Sequence, residues 1–212
     1  MKNKIFALIL SVFALFCPHS INAQSATDVL DKTAQKLKNC GGINASFEST
    51  FYKGSSVSGT SSGKISIYGN KFKITSPQMI VWFDGKNQWT MFDGSGEVNL
   101  TQPSNEELQS INPYTFVNLY KQGYKNTLSN VTYNGKKCYE VRLKATSKHQ
   151  SIQEMRVVVD PNTSLPYSIR IKQSGNWMRI RVSQIQTGKI WSDNYFRFNE
   201  KEFSNIEVID LR

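Results

Sequence analysis

The chain has 212 residues, 39% of them hydrophobic, with only 6 prolines, which excludes a disordered or fibrous protein and fits one globular domain. Its net charge of +10 raises the question of an acidic or membrane-surface partner without naming one. Three cysteines with no C-x-x-C pair exclude a disulfide scaffold, a zinc site and thioredoxin-like redox chemistry.

Lys2 and Lys4 precede the apolar run from Ile5 to Phe16, and Ile21, Asn22 and Ala23 then end in a small residue before Gln24. This pattern predicts a secretory signal peptide over 1–23, cleaved after Ala23, and a single mature domain over 24–212. A membrane anchor needs about 20 apolar residues, and this run breaks at Pro18 and His19. A lipid-modified Cys17 is disfavoured by the bulky Phe16 before it. An exported location argues against nucleic acid as the target of the positive charge. Export also leaves Cys40 and Cys138 as a pair in an oxidising compartment, so a disulfide between them and two free buried thiols are both open.

From Ser25 to Asn39 apolar residues recur at helical spacing, Ser25 and Asp28 offer a capping box, and Gly41-Gly42 ends the helix. The period then changes to two. Strands are predicted over 44–52, 64–68, 71–75, 79–83, 88–92 and 96–101, then over 127–133, 138–144, 153–160, 167–172, 176–187 and 195–198, with turns such as Gly69-Asn70 and Asn134-Gly135 between them. Ser104 to Tyr124 is different. Leu108, Ile111, Phe116, Leu119 and Tyr120 there fit short helices, the first capped by Ser104 and the second opened by Pro113. The expected fold is therefore mainly β with α: a strongly curved antiparallel sheet of about eleven strands, an incomplete barrel, covered by an N-terminal helix and a short central helical lid.

No catalytic constellation stands out, and the chain is expected not to be an enzyme and to need no metal or cofactor. His149 lies alone in a polar loop, and Asp84 and Asp93 sit beside glycines where aspartate serves the turn itself. Aromatic residues instead crowd the strands, from Phe47, Phe51, Phe72, Trp82, Phe83, Trp89 and Phe92 to Trp177, Trp191, Tyr195, Phe196 and Phe198. A packed core is one explanation. An apolar ligand cavity is the other, because a sheet with this many strands encloses more space than three short helices fill.

The order of these parts resembles the periplasmic outer-membrane lipoprotein carrier family, the LolA-like proteins. The segments that carry the resemblance are Phe47-Glu48-Ser49-Thr50-Phe51, Gly63-Lys64-Ile65-Ser66-Ile67, Lys71-Phe72-Lys73-Ile74, Asp84-Gly85-Lys86-Asn87-Gln88-Trp89, Val159-Asp160-Pro161 and the C-terminal Phe196-Arg197-Phe198 with Glu207-Val208-Ile209-Asp210. The resemblance implies a cavity that holds the acyl chains of lipoproteins as they cross the periplasm. Its implied partners are an inner-membrane release transporter and an outer-membrane acceptor, and the carrier is expected to act as a monomer. The family's lid-latching arginine has no counterpart in Tyr68-Gly69-Asn70-Lys71, leaving Lys71 or Tyr68 as substitutes. The expected acyl-chain lining is Phe47, Phe51, Ile65, Ile67, Phe72, Ile74, Val81, Trp89, Met91, Ile111, Phe116 and Leu119. Three other readings stay open: a lipid- or lipoprotein-sensing regulatory module of the same fold, an exported enzyme with an unrecognised site, and a β protein with a solid core.

Overall fold

The structure, a computed structural model, describes residues 25–104, 107–108, 119–203 and 205–212. The expected signal peptide, Ile111, Pro113 and Phe116 lie outside the described residues. Helix α1 (Ala26–Asn39) opens the fold. Ser25 Oγ accepts from the Asp28 amide at 3.1 Å while the Ser25 amide donates to the Asp28 carboxylate at 3.0 Å, so the capping box forms as expected. Gly41, at φ +74°, then takes the left-handed conformation that lets the chain turn from the helix into the sheet.

Twelve strands follow among the described residues: β1 (Gly42–Lys53), β2 (Ser56–Tyr68), β3 (Lys71–Thr75), β4 (Met79–Phe83), β5 (Gln88–Phe92), β6 (Glu97–Thr101), β7 (Tyr124–Tyr133), β8 (Lys136–Ala145), β9 (Ile152–Val159), β10 (Pro166–Gln173), β11 (Asn176–Lys189) and β12 (Glu207–Asp210). They form one sheet in the order β12-β6-β5-β4-β3-β2-β1-β11-β10-β9-β8-β7. Two antiparallel meanders are thus joined where β1 pairs with β11, and β12 adds in parallel to β6. The edge strands β7 and β12 do not pair, so the curved sheet stays open. Ser104 receives the Glu107 amide on its hydroxyl and gives its own amide to the Glu107 carboxylate, the expected cap at the start of the central segment.

One predicted strand is corrected. Residues 195–198 do not extend the sheet. Asp193–Phe196 form a 3-10 turn that drives Phe196 to complete burial. The physical reason is a ring cluster: Tyr195 stacks on Trp191 at 5.4 Å, and Phe196 meets both rings edge-on.

Strand register assigns each side chain to a face. On the inner face, against α1, lie Ile43, Ala45, Ile65, Ile67, Phe72, Ile74, Val81 and Phe83 of the first meander. Val141, Leu143, Met155, Val157, Ile169, Ile171, Ile180 and Val182 of the second face the same way. The outer face of β3–β6 carries a separate core. Trp82 is buried there between Lys73 and Trp89 on the neighbouring strands, and the rings of Phe198 and Phe203 meet it edge-on at 5.6 Å each. The segment after β11 is held over this face by Lys71–Asp193 at 2.5 Å and Arg197–Asp84 at 3.0 Å.

Inner packing leaves no slack at Gly63, which faces Phe47 across the β1–β2 pair. A Cβ there would sit 2.2 Å from the Thr75 carbonyl oxygen and 3.0 Å from the Phe47 ring. Gly63→Ala is expected to destabilise the fold by about 1–3 kcal/mol in urea unfolding, since overpacking forces backbone to shift. A neutral result would show that β2 and β3 can part there without cost.

Candidate functional site

The seam between β1 and β11 builds the site. Its pairings place Phe47 beside Val182, Ser49 beside Ile180 and Phe51 beside Met178, all on the inner face. The apolar row continues into β10 and β9 through Ile171, which pairs with both Met178 and Met155. At the end of the sheet where β1 finishes and β11 begins, the row opens to solvent. A cleft of 430 Å³ there is lined by Phe51, Tyr52, Ile171, Trp177 and Met178, with Lys53, Ser58, Gln173 and Asn176. Phe51 is 40% exposed, whereas Ile171 one strand pair deeper is buried, so the cleft descends from an open mouth to the inner core. Phe92, 50% exposed, lies beside Met79 at the same end of the sheet.

Deeper in, the inner face is filled by side chains. Val141, Leu143, Val157 and Ile169 have no exposure at all, and Val29 and Leu30 of α1 are buried in the same cluster. The hollow anticipated from the sequence is thus divided into the mouth cleft and a second cleft of 610 Å³ lined by Phe47, Val182, Tyr133 and Tyr167, while the β8–β10 residues named above are packed solid.

The sequence-predicted lining divides accordingly. Phe47, Phe51, Ile65, Ile67, Phe72, Ile74 and Val81 do face inward, and Leu119 packs against the same core, half-buried. Phe51 alone of these lines the mouth cleft. Trp89 and Met91 point the other way: Trp89 pairs with Trp82 and Met91 with Ile80, on the outer face. The inward residues of β5 are Gln88, Thr90 and Phe92, because Gln88 pairs with Phe83 and Thr90 with Val81. Ile171, Met178 and Trp177 were missed, although the alternation Ile169, Ile171 and Met178, Ile180 was legible. What was not legible was which face of the second meander joined which face of the first.

The two cysteines are separate free thiols. Cys40 closes α1 and packs against the inner core, whereas Cys138 lies on the outer face of β8, between the inward Tyr139 and the exposed Lys137. A sheet stands between them, which forbids the disulfide. Burial raises both thiols above their ordinary range.

The expected latch is also placed differently. Lys71 reaches the outer face and binds Asp193, so it closes nothing on the inner side. Instead Tyr120, buried near the end of the central segment, donates its hydroxyl to Asp31 of α1, and Asn126 of β7 donates to the Tyr120 carbonyl at 2.9 Å. Burial, then the Asp31 hydrogen bond and charge, raise the Tyr120 hydroxyl above the usual tyrosine range. This three-part contact ties α1 to the sheet edge. The signal for it, a tyrosine in the predicted lid, named no partner.

Solved structures share this fold at very low identity. An uncharacterised conserved protein from Thermus thermophilus aligns over 87% of this chain and 98% of its own, with TM-score 0.59 and 8% identity. The Mycobacterium tuberculosis lipoprotein LppX aligns over 79% and 97%, with TM-score 0.51 and 12% identity. A LolA superfamily protein from Nitrosomonas europaea covers 83% of this chain and 99% of its own, with TM-score 0.44 and 10% identity. A search of curated proteins finds no match. An open, curved sheet with a helix across one face defines the class, and residues 16–175 match the family described as outer membrane lipoprotein carrier protein LolA. The chain belongs to that family.

Two tyrosines make stability pH-dependent at the alkaline end. Tyr167 donates to Asp160 at 2.6 Å, and this bond with burial pushes its hydroxyl up to about 12 from 10.0. Above about pH 10 the unfolded chain loses these protons while the folded chain keeps them, so the stability contributed by Tyr120 and Tyr167 declines as pH rises through the folded values. Urea unfolding should therefore show a loss between about pH 10 and about pH 12 that shrinks in Tyr167→Phe. Tyr120→Phe should cost about 1.5–3 kcal/mol at neutral pH and speed amide exchange in α1. Unchanged exchange would remove Tyr120 as the tie.

Proposed function

We propose that this protein is a periplasmic, non-enzymatic carrier of the acyl chains of lipoproteins, exported by cleavage after Ala23 and acting as a monomer. It would receive cargo from an inner-membrane release transporter and deliver it to an outer-membrane acceptor. Membership of the lipoprotein-carrier family supports this reading. The observation that carries it is the mouth cleft, whose apolar wall of Phe51, Met178 and Ile171 runs without interruption into the inner core.

The energetics favour a cleft that opens further on loading. Each methylene withdrawn from water is worth about 0.8 kcal/mol, whether a bilayer or a protein takes it up. Transfer in both directions therefore needs a site that roughly matches the membrane. A volume of 430 Å³ lies in the lower part of the range for small-ligand sites, so it admits the end of a chain rather than several whole chains. Longer insertion requires side chains above the packed core to move aside. Met178 and Met79 suit that because methionine adapts to irregular space. The central segment after Ser104, with α1 tied through Tyr120, supplies the lid in this reading.

Trp177 lines the cleft while Trp82 is buried on β4 beneath the rings of Phe198 and Phe203, which provides a selective probe. A brominated or spin-labelled fatty-acyl ligand is expected to quench tryptophan emission saturably in the mature protein, with most of the quenching lost in Trp177→Phe. Phe51→Glu with Met178→Glu should weaken binding at least tenfold, because a charge at the mouth must be desolvated by the entering chain. Absence of saturable quenching, or unchanged affinity in the double variant, would overturn the carrier.

A further inference from the structure

The outer face of β8–β11 carries an arrangement that sheet energetics disfavours. Arg142 on β8 pairs with Arg156 on β9, Arg156 with Arg170 on β10, and Arg170 with Arg179 on β11. Four arginines thus stand side by side across four adjacent strands, a row of about 14 Å at ordinary strand spacing. Like charges placed directly opposite one another destabilise a sheet. Glu154 relieves one end, accepting from Arg142 and from Arg156 at 2.8 Å each. Burial raises the Glu154 carboxyl, but those two hydrogen bonds and charges outweigh it and leave the carboxyl below its usual range.

At the other end no carboxylate pairs with Arg170 or Arg179 among the described residues, and Glu48, one row away on the same face, is taken by Arg181 at 3.1 Å. Arg170 lies over the Trp177 ring at 4.9 Å, and Arg179 reaches Thr50 at 3.4 Å with the Tyr52 ring beneath it at 5.9 Å. The Nε atoms of Arg142, Arg170 and Arg179 are buried without a hydrogen-bond partner among the described residues. The next row toward the mouth pairs Lys172 with Trp177, Trp177 with Tyr52, and Tyr52 with Val57, which is 60% exposed. One row from the arginines toward the mouth, the surface therefore passes from guanidinium groups to Glu154, Lys172, two aromatic rings and Val57, side by side.

Arginines beside exposed rings suit a bilayer interface, where guanidinium groups meet phosphates and aromatic residues favour the headgroup level. We propose that this outer surface docks the protein on an anionic phospholipid membrane, the arginine row engaging headgroup phosphates and Trp177, Tyr52 and Val57 entering the interface. Guanidinium groups bind phosphate oxygens through paired hydrogen bonds, and a row of phosphates supplies the negative charge that the described residues lack between Arg170 and Arg179. A single free anion would meet only one or two of these groups. A membrane meets all of them at once and also takes the exposed apolar end. Docked in this way, the mouth cleft is brought to the lipid surface, although the docking stands on its own observations and does not require acyl binding.

The test is flotation of the mature protein with vesicles of phosphatidylcholine alone and of equimolar phosphatidylcholine and phosphatidylglycerol. Binding is expected only to the anionic vesicles, falling steeply as salt rises from about 0.05 to about 0.5 M. Arg170→Gln with Arg179→Gln should weaken it by on the order of tenfold or more. Its thermal unfolding should be no lower than that of the parent, because two like charges have been removed. Equal binding to neutral vesicles, salt-insensitive binding or an unaffected double variant would overturn the proposal. So would binding of labelled polyglutamate with no vesicle binding, which would assign the row to an acidic protein. Acyl-ligand affinity in the same variant, read by calorimetric titration because Arg170 lies over the Trp177 ring, is expected to be unchanged. Loss of quenching in the parent with vesicle binding intact would sink the carrier reading alone, and the reverse would sink the docking alone.

Discussion

The pairing of β1 with β11 is the interaction on which the rest of this structure depends. Each meander is built from neighbours in sequence, but the seam joins residues such as Thr50 and Arg179 that are 129 positions apart. Closing a loop of that length carries an entropic cost that no local turn offsets. The return is a continuous inner face, because Phe47, Ser49 and Phe51 come into line with Val182, Ile180 and Met178. The mouth cleft exists only because of this junction, since Phe51 and Met178 belong to different meanders.

A single open sheet has two faces to satisfy, and this one satisfies them by different means. The inner face packs against α1, with Tyr120 and Asn126 securing the helix to the edge strand β7. The outer face of β3–β6 is covered by the chain after β11, whose rings enclose Trp82 and whose Arg197 reaches the deeply buried Asp84 carboxylate. The outer face of β8–β11 has no such cover among the described residues. Arginine stems and the Trp177 ring screen its backbone while their charged ends stay at the surface. The aromatic richness that suggested one cavity is thus shared between two cores and a charged surface.

For a carrier this division has a mechanical meaning. In the proposed reading, the solidly packed half, β8–β10 with α1, is the frame, and the open end of the seam at Phe51 and Met178 is where side chains would move. Methionine at the mouth and an exposed phenylalanine cost stability only slightly, because few contacts are made there to be lost. Grip on an acyl chain and release of it both require such a boundary between rigid and yielding regions.

The sequence by itself determined the local elements. The period of two placed β3, β4 and β5 at their observed bounds, and the Ser25–Asp28 capping box opened α1 where it stands. Within each strand, side-chain alternation is a property of the backbone, so Ile65, Ile67, Phe72, Ile74 and Val81 could be assigned together to one apolar side. The serine- and glycine-rich first half of β2, Ser56 to Gly63, has no apolar alternation, and only its pairing with β1 makes it a strand. The tertiary structure alone decided which side was inward. Trp89 and Met91 are as apolar as Phe51, and it is the register with Trp82 and Ile80 that sends them outward. Cys40 and Cys138 could be weighed as a pair until the sheet came between them. The alignment of four arginines from strands spread over 142–179 required every register in the second meander to be known. Alternation is written locally, in neighbouring residues, but register is a relation between distant segments, and only folding supplies the second partner.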